Sequence, residues 1–293
     1  MSANSAVSIA ERLRIDLHSH STASDGSLTP AALVESAVAA GLRVLALTDH
    51  DNTAGISEAR AAAEGRGLLL VPGVEVSVTW NSQVTHIVGL RIDPDNTVLQ
   101  QGLAGLREFR VWRAEEIGRR LAERGIEGAL DGARSFAKGE IVGRTHFARW
   151  LVQEGFAPDT RRVFERYLVR GKPGHVPGQW ASLQDAVGWI RAAGGQAVVA
   201  HPGRYKLSAS KMAEFLDAFR QAGGEGIEVL SGSQAFSDAP HFAKLARYFG
   251  LKGSAGSDYH GPEQTYLALG RLPLLPEGVP AIWQDWPELE LAA

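Results

Sequence analysis

Histidines and carboxylates recur in this sequence at the ends of apolar segments of strand length. His18 and His20 close the first segment, and because residues two apart on a strand share one face, both imidazoles could reach one ion. Further residues of these two kinds lie at or beside later segments: Asp25, His50, Glu75, His86, His201, Asp258 and His260. A single histidine is most often a surface or core residue, but that explanation would have to hold independently at each position. The pattern therefore predicts a metal site.

Neutral imidazole and carboxylate ligands suit divalent ions such as Zn²⁺, Mn²⁺ and Fe²⁺. The chain contains no cysteine, which excludes disulfides, thiolate metal sites and cysteine nucleophiles. Two or three ions spaced by about 3.5–4 Å can clamp a phosphoryl group and lower the pKa of a bridging water. Since phosphate-binding loops of the Walker and Gly-x-Gly-x-x-Gly types are absent from the sequence, we expect hydrolysis by a metal-held hydroxide rather than use of ATP or NAD.

These residues need a scaffold in which distant segments of the chain end together. Apolar strands are predicted over residues 14–18, 44–48, 68–76, 86–90, 196–200, 227–230 and 251–256. Helices are predicted between them, from the N-cap Thr29 and Pro30 up to Gly41 and over residues 56–64, 210–221 and 239–249. Seven strands alternating with helices favour a parallel α/β barrel, whose C-terminal strand ends converge at one mouth.

The middle of the chain departs from this alternation. Residues 99–189 contain predicted helices at 102–124, 146–153 and 160–169 and a Gly/Pro-rich loop at 171–178, but no convincing buried strand. We expect a mainly helical insertion that caps the active site. The barrel would then be formed by residues 1–98 and 190–293.

Composition narrows the classes of partner. The net charge of −3 gives no electrostatic footprint for binding long duplex nucleic acid. Residues 1–11 lack the basic and apolar regions of a signal peptide, and no apolar run approaches the roughly 20 residues that span a bilayer. We therefore expect a cytoplasmic enzyme that binds neither duplex DNA nor a membrane.

Five motifs together resemble the PHP (polymerase and histidinol phosphatase) family. They are residues 18–26 (HSHSTASDG), 47–51 (LTDHD), 73–77 (GVEVS), His201-Pro202 and residues 256–260 (GSDYH). Their order is similar to that of the stand-alone branch of nucleotide phosphatases and short-RNA exonucleases, and the insertion also fits that branch. The resemblance implies a distorted (β/α)7 barrel of PHP type that holds two or three divalent ions.

Carried over by position, the resemblance implies three groups of ligands. The first ion would be held by His18, His20, Glu75 and Asp258, the second by Glu75, His86 and His201, and the third by Asp25, His50 and His260. Asp25 stands where many relatives carry histidine, which would soften a preference for zinc and favour Mn²⁺, with Zn²⁺, Fe²⁺ and Mg²⁺ as alternatives. Asp258, His201 and Glu75 are the expected catalytic residues.

Basic residues in or near the insertion could hold a substrate phosphate that is not cleaved. The candidates are Arg204, Arg144, His146, Lys172, Arg134 and His175. Each of them could instead be a solvated or helix-capping residue. Together with the family resemblance, they imply a phosphatase that removes the 3'-phosphate of nucleoside 3',5'-bisphosphates and leaves the 5'-nucleotide.

Three alternatives stay open at this stage. A metal centre built from the same ligands could also cleave a phosphodiester. A 5'→3' exonuclease acting on short single-stranded RNA is therefore the strongest alternative. Histidinol phosphate phosphatase is a weaker hypothesis, because the sequence does not identify an acidic pocket for the amine of that substrate. A non-catalytic metal-binding module, as in some polymerase-attached relatives, fits poorly with the full set of ligands.

Overall fold

The computed structural model describes residues 14–263 and 267–290. Its seven strands form one sheet in chain order: β1 Ile15–Asp16, β2 Val44–Leu47, β3 Leu69–Trp80, β4 Gln83–Leu90, β5 Gln196–Val199, β6 Gly226–Ser231 and β7 Lys252–Gly256. The sheet curls until its two ends meet, where Leu17 N–H donates to Ala255 O at 2.9 Å and His20 N–H donates to Tyr259 O at 2.8 Å. The predicted seven-stranded α/β barrel is confirmed.

One strand, β4, runs against its neighbours. It follows β3 after only Asn81 and Ser82, whose φ angles of 46° and 62° suit a two-residue hairpin turn. Because β4 is antiparallel to both β3 and β5, the prediction of a wholly parallel sheet is wrong at this strand. The reversal places the beginning of β4, and with it His86, at the edge where the parallel strands end.

Helices surround the sheet and form the insertion. They are α1 Pro30–Ala39, α2 Ile56–Ala63, α3 Thr97–Ala122, α4 Ala129–Phe136, α5 Arg144–Gln153, α6 Thr160–Val163, α7 Leu183–Ala192, α8 Ala209–Gln221, α9 Ala239–Phe249 and α10 Pro287–Glu290, with a π-helical turn at Phe164–Leu168. The predicted N-cap of α1 is confirmed, since Thr29 Oγ1 accepts the Ala32 N–H at 3.2 Å. No helix in residues 14–263 or 267–290 combines the length and the apolar character needed to cross a bilayer.

Alternate strand residues face opposite sides of the barrel wall. On β2, Val44 and Ala46 belong to a cluster inside the barrel, whereas Leu45 and Leu47 pack beneath the outer helices. Residues 282–289 close the barrel from below, where Trp286 joins the inner cluster and its indole N–H donates to the side chain of Gln196 at 2.7 Å. The interior below the mouth is therefore filled, and the chemistry is confined to the upper edge.

Helix α3 joins the barrel to the inserted helices. Leu99, Leu103 and Leu106 in its first half pack into the cluster outside the sheet. Ile117 and Leu121 in its second half belong to a separate cluster with residues of α4, α5 and α6. The domain boundaries at residues 99 and 189 stay a prediction, and the change from one cluster to the other falls inside α3.

Candidate metal centre

The predicted ligands come from separate strands and meet at the mouth of the barrel. Six histidine rings form a chain of contacts with centroids 4.1 to 6.2 Å apart: His18, His20, His50, His86, His201 and His260. Glu75, fully buried on β3, lies among them. The barrel therefore brings together residues that are more than 200 positions apart in the chain.

The first predicted group is compact. His18 Nε2 lies 3.1 Å from His20 Nε2 and 3.4 Å from Glu75 Oε2, and Asp258 Oδ1 lies 3.3 Å from His20 Nε2. Ligand atoms about 2.0–2.1 Å from one tetrahedral ion lie about 3.3 Å apart. Because one ligand atom from each of the four residues lies within 4.8 Å of the other three, this group can hold a single ion.

The second predicted group surrounds the other oxygen of Glu75. Glu75 Oε1 lies 2.9 Å from both His86 Nδ1 and His201 Nε2, and these two nitrogens are 3.3 Å apart. His50 also approaches this group, because its Nδ1 lies 2.8 Å from Glu75 Oε2. One carboxylate therefore faces two neighbouring clusters of donor atoms, as a bridging ligand must.

The third predicted group lies nearer the insertion. Asp25 Oδ1 is 3.3 Å from His260 Nε2 and 3.9 Å from His50 Nε2. His20 is also close enough to join this group. Thr145, at the start of α5, donates its hydroxyl to Asp25 Oδ2 at 2.8 Å, so the insertion orients one of these donors.

The electrostatics of the cluster fit cations. Burial raises the pKa of Glu75, but the charge of His50 and then that of His18 outweigh it and hold that pKa well below its usual range. The pKa values of Asp25 and Asp258 are also held well below their usual range, against burial, by neighbouring histidines. These carboxylates are therefore ionised at neutral pH.

The histidines divide into two kinds. Burial lowers the pKa of His20 to about 3 and that of His86 to about 4, so both rings are neutral and keep a lone pair. Burial also lowers the pKa of His260, but the charge of Asp25 outweighs it and raises that pKa to about 9. An ion that binds His260 must displace its proton, so metal uptake is coupled to proton release.

Several buried ligand atoms lack a partner in hydrogen-bonding geometry among the described residues, although polar atoms of the cluster lie as close as 2.8 Å to them. They include Asp25 Oδ1, His50 Nδ1 and Glu75 Oε2, all of which face the cluster. Burying such atoms without a partner is costly, and a divalent cation would satisfy all three. The residues present therefore fit a metal centre.

Glu228 was not singled out by the sequence analysis. It lies on β6, is 1% exposed, and accepts the His18 Nδ1–H at 2.6 Å through Oε1. Its Oε2 accepts the backbone N–H of His201, also at 2.6 Å. The available signal was an acidic residue inside an otherwise apolar strand, a position where a carboxylate needs a partner.

Two aspartates beside His50 hold the surrounding loops instead of the His50 ring. Asp49 accepts the Ser21 N–H at 2.8 Å and the hydroxyl of Ser24 at 2.5 Å, which fixes the loop between His20 and Asp25. Asp51 accepts the Ser77 N–H at 2.7 Å and forms an ion pair with Arg110.

A cavity of about 210 Å³ opens above the cluster. Three of the predicted phosphate-binding residues line it: Arg204, Arg144 and His175. Arg204 Nη1 lies 3.3 Å from Asp258 Oδ2. Arg144 is the first residue of α5, and its guanidinium carbon lies 5.6 Å from the ring centre of Phe164. Both guanidinium groups therefore lie where they could hold an anion beside the cluster.

The other three candidates do not line this cavity. His146 is buried on α5, where its Nδ1 accepts the Gly143 N–H at 3.1 Å and so caps the helix. Arg134 is exposed and pairs with Asp131 at 3.3 Å, and Lys172 is exposed in a turn. Their assignment to substrate binding has no geometric support.

The structure adds two arginines that the sequence analysis missed. Arg110 and Arg113 of α3 line the cavity, with guanidinium carbons 5.0 and 5.3 Å from the ring centre of Trp180. Burial, and then the charges of Arg144 and Arg110, lower the pKa of Arg113 to about 9. In the sequence these arginines look like the solvated face of a charged helix, so no local signal distinguishes them.

This chain matches one family model and resembles several known proteins over most of its length. Residues 16–132 match the model of the PHP domain. The 3',5'-nucleoside bisphosphate phosphatase of Chromobacterium violaceum is 48% identical over 92% of this chain and 95% of its own length. The 5'-3' exoribonuclease Rnm of Escherichia coli is 46% identical over 92% of this chain and 93% of its own. A solved structure of an amidohydrolase from Chromobacterium violaceum, with bound sulfate and no metal, has a TM-score of 0.90 at 48% identity and covers 95% of this chain and 96% of its own.

Proposed function

This chain belongs to the PHP domain family, and from that premise we propose that it is a metal-dependent phosphatase acting on nucleoside 3',5'-bisphosphates. It would hydrolyse the 3'-phosphate ester and release the 5'-nucleotide and inorganic phosphate. The observation that carries the proposal is the position of an arginine-lined cavity directly above the cluster of histidine and carboxylate ligands.

The three ligand groups described above would hold two or three divalent ions, with Mn²⁺ proposed first because Asp25 supplies oxygen to the third group. Such ions would neutralise the charge of the reacting phosphate and lower the pKa of a bound water. Glu75, His201 and Asp258 are the proposed catalytic residues, because Glu75 would be shared by two ions and both His201 and Asp258 line the cavity. Since the pKa of Asp258 is held well below its usual range, this carboxylate can orient or accept a proton but does not donate one at neutral pH.

The arginines would recognise the phosphate that is not cleaved. Burial, and then the charges of Arg204 and Arg110, lower the pKa of Arg144 to about 10. Mutual repulsion of desolvated cations is relieved when an anion binds between them. The cavity therefore favours a substrate with a second phosphate, and it disfavours the ammonium group of histidinol phosphate.

The decisive experiment compares substrates on the Mn²⁺-loaded enzyme. We expect kcat/KM for adenosine 3',5'-bisphosphate (pAp) to exceed that for 3'-AMP, since only pAp offers a 5'-phosphate to the arginines. Release of phosphate and identification of the nucleotide by chromatography would measure both the rate and the position of cleavage. Absence of pAp hydrolysis by folded, metal-loaded enzyme would refute the proposal.

Exonucleolytic cleavage of short RNA is the second candidate, and a row of aromatic rings favours it. Trp180 lines the cavity, its ring centre lies 4.8 Å from that of Phe109, and Phe109 lies 5.5 Å from Trp112, which is 52% exposed. Nucleobases stack on exposed aromatic rings without sequence preference. If the enzyme acts on RNA, Trp112→Ala should lower kcat/KM for a 5'-phosphorylated tetranucleotide and leave that for pAp unchanged.

A further inference from the structure

Glu228 touches two of the proposed ligand groups at once. Its Oε1 accepts from the ring of His18, which belongs to the first group, and its Oε2 accepts from the backbone of His201, which belongs to the second. Both distances are 2.6 Å, and the carboxylate is 1% exposed. Charge-assisted bonds this short and this well shielded from water are among the stronger hydrogen bonds in proteins.

We propose that Glu228 is the positioning residue that couples the first two ion sites, by fixing the tautomer of His18 and the backbone at His201. A neutral imidazole carries one ring proton, so a proton held on Nδ1 leaves the Nε2 lone pair available. That nitrogen faces His20 Nε2 and Glu75 Oε2, where the first ion would lie. Carboxylates that accept the second ring proton of a ligand histidine orient the ring and raise its basicity.

The second contact acts on the backbone. His201 has a φ of 27°, which side-chain-bearing residues rarely adopt and which costs free energy unless the surroundings hold it. The bond from its N–H to Glu228 Oε2 holds this conformation, which in turn directs the imidazole towards Glu75 Oε1 at 2.9 Å. Loss of the carboxylate would therefore disturb ligands of both ions.

Glutamine cannot replace Glu228 at this position, although its size is nearly the same. Both partners are N–H donors, whereas an amide has one acceptor oxygen and one NH₂ donor. With the amide oxygen on His18, the NH₂ group would oppose the N–H of His201. With the oxygen on His201, the NH₂ group would require the His18 proton to move to Nε2, which would remove the lone pair needed by the ion.

The test measures metal binding without substrate, since this inference rests on the metal centre of the proposed function. Calorimetric titration of the metal-free protein with Mn²⁺ and Zn²⁺ should show ions bound roughly 10–100-fold more weakly by Glu228→Gln than by the wild type. Glu225→Gln is the matched control, because Glu225 precedes β6 and accepts from the side chain of Gln196 at 3.0 Å, away from the ligands. Its metal affinity should equal that of the wild type.

A spectroscopic measurement separates positioning from a general structural effect. In Zn²⁺-loaded protein labelled with ¹⁵N-histidine, the wild type and Glu225→Gln should show a downfield Nδ1–H proton for His18. In Glu228→Gln this signal should move upfield if the neutral amide oxygen accepts the proton, and it should vanish if the proton has moved to Nε2. If Glu228→Gln does not fold, Glu228→Asp provides the test. Its carboxylate is one methylene shorter and cannot keep both contacts, so this variant should also bind metal more weakly than the wild type.

Wild-type metal affinity in whichever of these variants folds would overturn the inference. The outcome differs from failure of the proposed function. If the wild type binds metal but hydrolyses neither pAp nor RNA, only the proposed function is lost. If the wild type hydrolyses pAp while folded Glu228→Gln binds metal as tightly as the wild type, only the role of Glu228 is lost.

Discussion

Glu75 makes close contacts with more of the cluster than its neighbours do. Its two oxygens lie between 2.8 and 3.4 Å from the rings of His18, His20, His50, His86 and His201. These five histidines follow or occupy four strands, β1, β2, β4 and β5, so a single ionised carboxylate links most of the barrel mouth. The arrangement explains how one side chain can contribute to two ions that share it.

Asp258→Asn tests the first ligand group. The substitution keeps the size of the side chain but removes the charge that faces His18 and His20, so kcat/KM should fall by roughly two orders of magnitude or more. Phosphate release from pAp with Mn²⁺ is the measurement, and far-UV circular dichroism should show an unchanged fold. Asp285→Asn is the control, because Asp285 pairs with Lys252 on the surface. Full activity of Asp258→Asn would exclude Asp258 from the metal centre.

Arg144→Ala tests recognition of the second phosphate. Loss of a charge-assisted contact should raise KM for pAp roughly 10-fold or more and change KM for 3'-AMP little. Steady-state kinetics with both substrates give the comparison. Arg134→Ala serves as the control, since Arg134 lies outside the cavity. Equal effects on pAp and 3'-AMP would remove Arg144 from recognition of the 5'-phosphate.

At the scale of elements, the first turn of α5 contains a histidine, His146, in a structural role. Burial lowers the pKa of His146 to about 4 from an ordinary value of 6.5, and its neutral ring accepts the Gly143 N–H. A glutamine at this third helical position can accept the same N–H, as in a capping box. The cap can therefore be kept while the titrating group is removed.

His146→Gln should flatten the pH dependence of stability. Because the folded-state pKa of His146 is depressed, its contribution is fully present above pH 6.5 and is lost as the pH falls towards 4. Between pH 7 and pH 5 the wild type should lose roughly 2 kcal/mol through this residue. Urea unfolding of both proteins in EDTA at the two pH values measures the difference. Identical losses in the two proteins would contradict it.

Helix α3 is attached to the loop after β2 by a buried ion pair. Arg110 donates from Nε to Asp51 Oδ2 at 2.7 Å and from Nη2 to Ser77 Oγ at 2.9 Å, and Asp51 is fully buried. The pair lies next to His50, so it connects the insertion to a proposed metal ligand.

Arg110→Met should destabilise the protein by roughly 3–5 kcal/mol, because the substitution leaves the buried charge of Asp51 without its partner. Adding Asp51→Asn should recover part of that loss, and a double-mutant cycle from urea unfolding gives the coupling. Strictly additive effects of the two substitutions would show that the contact contributes nothing.

Features that depend on residues close together in the chain could be predicted from the sequence, whereas contacts between distant residues could not. Periodicity and caps identified the strands and α1 because these depend on neighbouring residues. The hairpin at Asn81 and Ser82 is not predicted, because the alternation of strands with helices favours a parallel strand at His86. Glu228 and Arg110 were missed because their partners, His18 with His201 and Asp51 with Ser77, are distant in the chain, and only the fold shows which pairs meet.

At the scale of the whole molecule, the proposed ions would tie together segments from both halves of the chain. Ligands before residue 87 and after residue 200 meet at one place. A ligand that binds only the folded state stabilises it by mass action. Metal binding and folding should therefore be linked.

Removal of metal with EDTA should abolish phosphate release and lower Tm by several degrees, and Mn²⁺ should restore both. Differential scanning fluorimetry and activity assays on the same samples measure the two effects. His201→Ala provides the comparison, since its Tm should respond less to added Mn²⁺. An unchanged Tm and full activity after chelation would contradict the metal centre.

The division of α3 between two hydrophobic clusters limits how the enzyme could be shortened. Leu99, Leu103 and Leu106 pack against the barrel, while Ile117 and Leu121 pack within the inserted helices. An engineered deletion that starts at residue 99 would strip apolar cover from the outer wall of the sheet. A truncated barrel would have to retain roughly the first three turns of this helix to remain folded.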